Sequence, residues 1–159
     1  PRNTFEPMIG KQKISLHLMQ HVADHFNVSL TAALLRWLHL TSQRAMLMIG
    51  DNGFVKWARS SDTLLQSGVY LQPKKELIEL PSQSLAVSRD TSIYAKIGIT
   101  HKSGTWPSFK ETVHEMTVHA DAYEGTISLL LFPDDPPPRW REPDEEPDLI
   151  DTFEKFQGG

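Results

Sequence analysis

The sequence predicts an α+β fold in which a pair of helices precedes an antiparallel sheet. Three observations predict it: a helical period in the apolar residues as far as Leu40, a period of two after Thr41, and the dipeptide Asn52-Gly53 between two apolar runs. Asn-Gly is a strong hairpin signal because both residues tolerate the positive φ that a tight turn requires. Hydrophobic residues make up 39% of the 159 residues, which is enough for a packed core.

Composition marks a boundary near Phe132 and the change of period marks another after Thr41, so the chain divides into a helix-turn-helix-like segment over residues 1–41, a domain over 42–132 and a tail over 133–159. The tail contains nine acidic and three basic residues and six of the eleven prolines, whereas the rest of the chain contains eleven acidic and thirteen basic residues. A nearly neutral body therefore carries an acidic, Pro-rich extension. No apolar run is long enough to span a bilayer, so we expect a cytoplasmic protein with no membrane partner.

The helix pair is predicted over residues 14–26 and 30–40, where apolar side chains recur on one face. Asn27 tolerates the left-handed conformation that ends a helix, and Ser29 is a favourable N-cap for the next one. Two helices joined by so short a turn form a helix-turn-helix unit. Binding to DNA requires several Lys or Arg side chains, but the second helix contains only Arg36, so we do not expect DNA as a partner.

Alternating patterns predict the sheet of the domain over 42–132. The clearest alternation puts Glu115 and His119 on one face of a strand and His114 on the other. Residues 61–66 are expected to form a single helical turn. The predicted strands cover residues 45–49, 54–60, 92–100, 111–120 and 126–132.

No motif in the sequence assembles a catalytic or metal site. Cys is absent, which excludes a disulfide framework, a Cys-ligated zinc site and a thiol nucleophile. His114-Glu115 resembles the start of the zinc-protease motif H-E-x-x-H, but Val118 stands where the second His is needed and His119 follows one residue too late. We therefore predict two partly exposed strand histidines, no catalytic residue, no metal ligand and no cofactor.

Three histidines, His17, His21 and His25, are spaced four residues apart on the first predicted helix. Histidines at this spacing share a helix face and can chelate a transition metal. They lie mostly off the apolar face, however, and only Asp24 is near them in sequence as a further ligand. This pattern favours a solvated polar surface over a metal site.

Three short phrases in the N-terminal third carry a resemblance to a known family: HVADHFNVS at residues 21–29, AA at 32–33 and RWL at 36–38. Together they resemble the helix pair that follows the catalytic domain in the ImmA/IrrE family of zinc metallopeptidases. The opening PRNTF at residues 1–5 resembles the continuation of the Met-Pro phrase that closes the peptidase domain. Further on, residues 45–57 and 126–131 are similar to the first hairpin and a closing strand of the family's C-terminal domain.

This resemblance implies a non-catalytic, regulatory region with a GAF-like sensor domain. The parent chain would be a cytoplasmic bacterial zinc metallopeptidase that cleaves a repressor in a stress response, with its H-E-x-x-H helix before Pro1. The expected partners are the chain's own peptidase domain and the repressor. No catalytic residue of the family can be carried over to this chain.

Two alternative functions remain open at the level of sequence. The helix-turn-helix pattern is also typical of a transcription regulator fragment that carries a ligand-sensing domain. The tail and its amphipathic C-terminal segment would equally suit a protein-interaction module.

The end of the tail is predicted to be a protein contact made by Leu149, Ile150, Phe153 and Phe156. These side chains fall on one face of a short helix, after an extended spacer over residues 133–147. A helix of about nine residues is too short to be stable alone. It therefore needs an apolar surface on the body, on a second copy in a homo-oligomer, or on the peptidase domain.

Replacing Phe153 with Ala is expected to weaken this docking, because burial of a large apolar side chain contributes about 1.5–3 kcal/mol. Amide hydrogen exchange over residues 149–156, measured in the intact protein at high concentration, tests the contact. Exchange as fast as in an unstructured peptide would show that the segment does not dock.

Overall fold

The computed structural model describes residues 14–88, 92–120 and 125–136, and these form an α+β fold. Two helices pack on one face of a five-stranded antiparallel sheet. The helix pair followed by an antiparallel sheet confirms the predicted fold class. The lead-in over residues 1–13 lies outside the described residues. So do residues 137–159, which include the predicted contact residues Leu149, Ile150, Phe153 and Phe156.

The helix pair consists of α1 (Leu16–Phe26) and α2 (Leu30–Leu40). The Ser15 hydroxyl caps α1 by accepting a hydrogen bond from the Leu18 amide, and Asn27 ends it in the left-handed region with φ 56°. The Ser29 hydroxyl accepts from the Ala32 amide and so starts α2. Within the part of the chain that the structure describes, no helix is both long and apolar enough to cross a membrane.

The sheet has the strand order β2-β1-β5-β4-β3, and each neighbouring pair is antiparallel. Asn52 and Gly53 form the predicted hairpin turn with φ 53° and 81°. A helical turn follows the hairpin, as predicted, and a second one precedes β3. The elements are β1 (Ala45–Asp51), β2 (Phe54–Ser60), α3 (Asp62–Gln66), α4 (Ile93–Ile97), β3 (Ile99–His101), β4 (Val113–Ala120) and β5 (Gly125–Leu131).

The prediction of one strand over residues 92–100 is wrong for most of its length, because the chain forms α4 there. The Ser92 hydroxyl accepts a hydrogen bond from the Tyr94 amide and starts this short helix. Gly98 ends it with φ 98°, and a Cβ at this position would collide with the Glu115 carbonyl oxygen. Only the last few residues then run as the edge strand β3.

The sheet is the middle layer of the molecule and is buried on both faces. The helix pair covers one face, where Leu34 and Trp37 belong to the same apolar cluster as Leu47 and Leu129. On the other face, long connections supply the cover, and all seven residues of β5 are consequently buried. We call this second side the loop-covered face; its apolar cluster includes Met46, Met48, Leu130, Leu64, Leu80, Trp106 and Phe109.

At one end of the sheet, a buried arginine joins three segments that are distant in sequence, at Ser67, Glu111 and Pro133. Arg44, just before β1, makes two parallel bonds to the Glu111 carboxylate, with Nη1 to Oε1 at 2.7 Å and Nη2 to Oε2 at 2.9 Å. Its Nη1 also donates to the Pro133 carbonyl at 2.9 Å, and its Nη2 donates to the Ser67 hydroxyl at 3.0 Å. The side chains of Arg44 and Glu111 are 4% and 8% exposed, so each charge depends on the other for solvation.

Replacing Arg44 with Met is expected to lower the free energy of unfolding by about 3–5 kcal/mol, because it leaves the Glu111 carboxylate buried without a partner. The double variant Arg44→Met/Glu111→Leu removes both charges and should recover part of this loss. Urea unfolding of the single and double variants measures the difference. A double variant no more stable than the single one would contradict this account.

Candidate functional site

A row of polar side chains crosses the loop-covered face of the sheet. It begins at His101 on β3, continues through Glu115 and Thr117 on β4, and ends at Ser128 on β5. All four residues are buried. Buried polar groups lower the stability of a fold unless they are hydrogen-bonded. The hydrogen bonds of this polar row therefore determine whether the loop-covered face is stable.

Glu115 is the centre of the polar row and is fully buried, with 0% exposure. Its Oε1 lies 2.7 Å from the His101 Nε2 and accepts a hydrogen bond from the Leu85 amide at 3.0 Å. Its Oε2 accepts from the Ser84 hydroxyl at 2.5 Å. The Nε2–H tautomer of the His101 ring fits this contact, since it donates to a carboxylate oxygen. One carboxylate thus holds both β3 and the loop at residues 81–88 against β4.

Ser84, His101 and Glu115 have the composition of a hydrolase triad but not its connections. In a triad the imidazole stands between the nucleophile and the acid, so that it can take the hydroxyl proton. Here the carboxylate stands between the other two groups, and the Ser84 hydroxyl is bonded to Glu115. Ser84 is also only 1% exposed. The arrangement is a structural clasp rather than a nucleophile activated by a base.

The remaining members of the polar row complete its hydrogen bonds across the central strands. Thr117 and Ser128 are register partners, and their hydroxyl oxygens lie 2.8 Å apart. The Thr117 hydroxyl also donates to the Glu115 Oε2 at 3.4 Å. A hydroxyl has a single proton, so Ser128 must donate to Thr117.

A pocket of about 550 Å³ opens beside the end of the polar row. Three parts of the fold meet there: the β1–β2 turn, the loop at residues 81–88, and the adjoining ends of β4 and β5. Its volume falls within the range of about 300–1,000 Å³ that small-molecule sites occupy. The pocket is lined by residues 50–53, Leu80, residues 86–88, His119 and residues 125–126.

Two polar atoms at the pocket have no hydrogen-bond partner in the described structure: Nε2 of His119 and Oγ1 of Thr126. Thr126 is only 6% exposed, so water outside the protein does not readily replace a partner. The two residues are register partners on β4 and β5, which places their Cβ atoms about 5 Å apart on the same face. Buried polar atoms without a protein partner are positions at which a bound molecule can supply the missing hydrogen bonds.

The space in front of Thr126 exists because residue 50 is a glycine. Gly50 is the register partner of Thr126 on β1. A Cβ at residue 50 would lie 2.9 Å from the Thr126 Oγ1 and 3.2 Å from the Leu80 Cδ1. Any larger side chain at this position would therefore enter the pocket and press on its hydroxyl group.

The walls of the pocket are held by backbone hydrogen bonds and by the clasp. The Leu80 amide donates to the Gly53 carbonyl at 2.8 Å, which fixes the segment before the loop against the hairpin turn. Ala86 and Val87 follow directly after Leu85, whose amide is bonded to Glu115. The clasp therefore positions the apolar wall of the pocket without lining it.

The structure separates the histidines that the sequence analysis considered. His114 and His119 lie on opposite faces of β4 and are both partly exposed, as the alternation predicts. The His114 ring contacts the Ile97 carbonyl and the Thr100 hydroxyl, each at 2.9 Å. The predicted solvated histidines of α1 are all exposed: His17, His21 and His25.

Among residues 14–88, 92–120 and 125–136, no three His, Asp or Glu side chains are grouped so that they could hold a metal ion. The pocket lining, which combines unpaired polar atoms with apolar side chains, suits a small molecule held by hydrogen bonds and apolar contacts.

The clasp and the pocket were not predicted from the sequence, although one signal for them is present in it. Glu115, Thr117 and His119 share a strand face with Val113, which is buried in the apolar cluster. A carboxylate on an inward face needs buried donors, and those donors come from segments distant in sequence.

In comparisons with known proteins, no family model matches this chain and no curated protein matches it.

Replacing Glu115 with Ala is expected to lower the free energy of unfolding by about 3 kcal/mol or more, since four buried donors lose their acceptor. The Leu85 amide should lose its protection from hydrogen exchange more than the amides of α1 do. Urea unfolding and residue-resolved exchange measure both effects. The control Glu76→Ala removes an exposed carboxylate and should change stability by less than about 0.5 kcal/mol. Unchanged Leu85 exchange in Glu115→Ala would refute the clasp.

Proposed function

We propose that this chain is a sensor module that binds a small molecule and regulates another protein domain. The observation that carries the proposal is the pocket with its two unpaired polar atoms, on His119 and Thr126. A pocket with buried, unused hydrogen-bonding groups is organised for a ligand that supplies the missing partners. The triad-like residues support a non-catalytic function, since their connections serve to hold a loop.

The domain organisation supports a GAF-like sensor. Such a domain holds its ligand among apolar side chains from its strands and from an adjacent loop. The pocket of this chain lies between the strand ends and the loop at residues 81–88, and Leu80 and Val87 supply apolar surface. The helix pair covers the opposite face of the same sheet and offers a separate surface for a regulated domain.

The regulated domain in this proposal is a zinc peptidase of the ImmA/IrrE type. The phrases at residues 21–29 and 36–38 support it, because they resemble the helix pair that follows the family's catalytic domain. In this scheme the parent enzyme is a cytoplasmic bacterial protein that cleaves a repressor under stress. The present chain reports the signal, contributes no catalytic residue and contacts the peptidase domain and the repressor.

A thermal-shift experiment tests the sensing function without naming the ligand. A deproteinised small-molecule extract of bacterial cells should raise the Tm of the protein by about 4 °C if its ligand reaches about ten times Kd, which corresponds to about 1.4 kcal/mol. The variant Gly50→Ala should lose this shift, because the added methyl group occupies the space next to Thr126.

The control variant Ser82→Thr adds a methyl group at an exposed position in the loop at residues 81–88, outside the pocket lining, and should keep the full shift. Each shift is measured from the variant's own Tm without extract, which removes any effect of the substitution on stability alone. An equal shift in wild type and Gly50→Ala, or no shift in wild type, would overturn the sensing function.

A further inference from the structure

The unpaired atoms of the pocket specify the chemistry of a complementary ligand. The Thr126 hydroxyl can donate and accept, and the His119 Nε2 donates or accepts according to the tautomer of the ring. Together the two side chains can present one donor and one acceptor side by side. A ligand that satisfies both has its own donor next to an acceptor, as along the edge of a cyclic amide or an aminopyridine ring.

The charge of the pocket lining distinguishes between an uncharged ligand and a phosphorylated one. Among the described residues that line the pocket, none is Lys or Arg, and the formally charged residue is Asp51. Binding sites for phosphate groups use cationic side chains or clusters of backbone amides at a helix N-terminus. The described lining therefore favours an uncharged ligand.

Shape adds a further restriction. The pocket lining also includes Leu80, Ala86 and Val87, whose apolar side chains suit the flat face of a ring. A volume of about 550 Å³ accommodates a one- or two-ring molecule and leaves space for water at the mouth. Proteins commonly read isolated bases in this way, with hydrogen bonds to the polar edge and apolar side chains against the faces.

We propose that the pocket binds an uncharged nitrogen heterocycle of nucleobase size, whose donor–acceptor edge pairs with His119 and Thr126. This assignment rests on the proposed sensing function and names its class of ligand. The clasp around Glu115 positions the loop at residues 81–88, which contributes Ala86 and Val87 to the lining, so the pocket is formed before the ligand enters.

The test is an NMR titration of the full chain with adenine and with uracil, which share the donor–acceptor edge. Either base should give saturable shifts at the amides of Gly50, Gly53 and Thr126 with Kd below the millimolar range. Indole has a ring of similar size without an acceptor edge, and adenosine monophosphate adds a charged phosphate. Both should bind at least about tenfold more weakly than the better base.

Two variants assign the binding to the polar pair. Thr126→Val should weaken binding of the better base by about tenfold, the loss of about one hydrogen bond. It should also leave the Tm of the unliganded protein unchanged or higher, because it removes an unpaired buried hydroxyl. His119→Phe should weaken binding at least as much. Where His119→Phe does not fold, Thr126→Val decides.

The matched controls make the same chemical changes at exposed positions. Thr112→Val and His39→Phe should bind the base with wild-type affinity. The proposal is overturned if neither base gives saturable shifts, if adenosine monophosphate binds more tightly than adenine, or if Thr126→Val binds like wild type.

The outcomes also separate the ligand class from the sensing function. If the cell extract stabilises wild type but not Gly50→Ala while neither base binds, the sensing function stands and the heterocycle proposal fails. If neither the extract nor the bases have an effect, both proposals fail, and the pocket holds only water.

Discussion

The carboxylate of Glu115 is the interaction on which the loop-covered face of this protein depends. It is fully buried, and it gathers donors from β3 and from the loop at residues 81–88. Neither segment has a long hydrogen-bonded ladder of its own, since β3 contains three residues and the loop contains no strand. A buried carboxylate is stable only when its oxygens are hydrogen-bonded. The same hydrogen bonds hold β3 and the loop at residues 81–88 in place.

The central position of the sheet links the two halves of the proposed function. Along β4, Glu115 and Thr117 point to the side of the pocket, and Met116 between them belongs to the cluster under the helix pair. A shift of the loop at residues 81–88 relative to Glu115 therefore displaces β4, and the alternate residues of β4 pack against the helix pair. Close packing on both faces leaves little room to absorb a shift on one face alone. In the proposed sensor, this strand is the physical connection between ligand and regulated domain.

Sequence reasoning succeeded where local chemistry decides the structure and failed where distant residues decide it. The helix pair and the hairpin were predictable, because the residues at their caps and turn are of types that favour those conformations. They are Ser15, Asn27, Ser29 and Asn52-Gly53. The helix α4 within residues 92–100 was not predictable. It ends at Gly98, whose close contact with the Glu115 backbone involves a residue distant in sequence. The pocket was missed for the same reason: Gly50, Leu80, His119 and Thr126 meet only after the sheet has formed.

The pairing of β1 with β5 has a consequence for how this protein is made. Ala45 pairs with Leu131 and Asp51 with Gly125, so the central ladder joins the first of the described strands to the last of them. Such distant pairing slows folding, because a long loop must close before its contacts contribute. On the ribosome, the helix pair and the β1–β2 hairpin emerge long before β5, and one edge of β1 meanwhile stays unpaired and apolar. Nascent chains of this protein are therefore most vulnerable to aggregation during synthesis of the second half of the sheet.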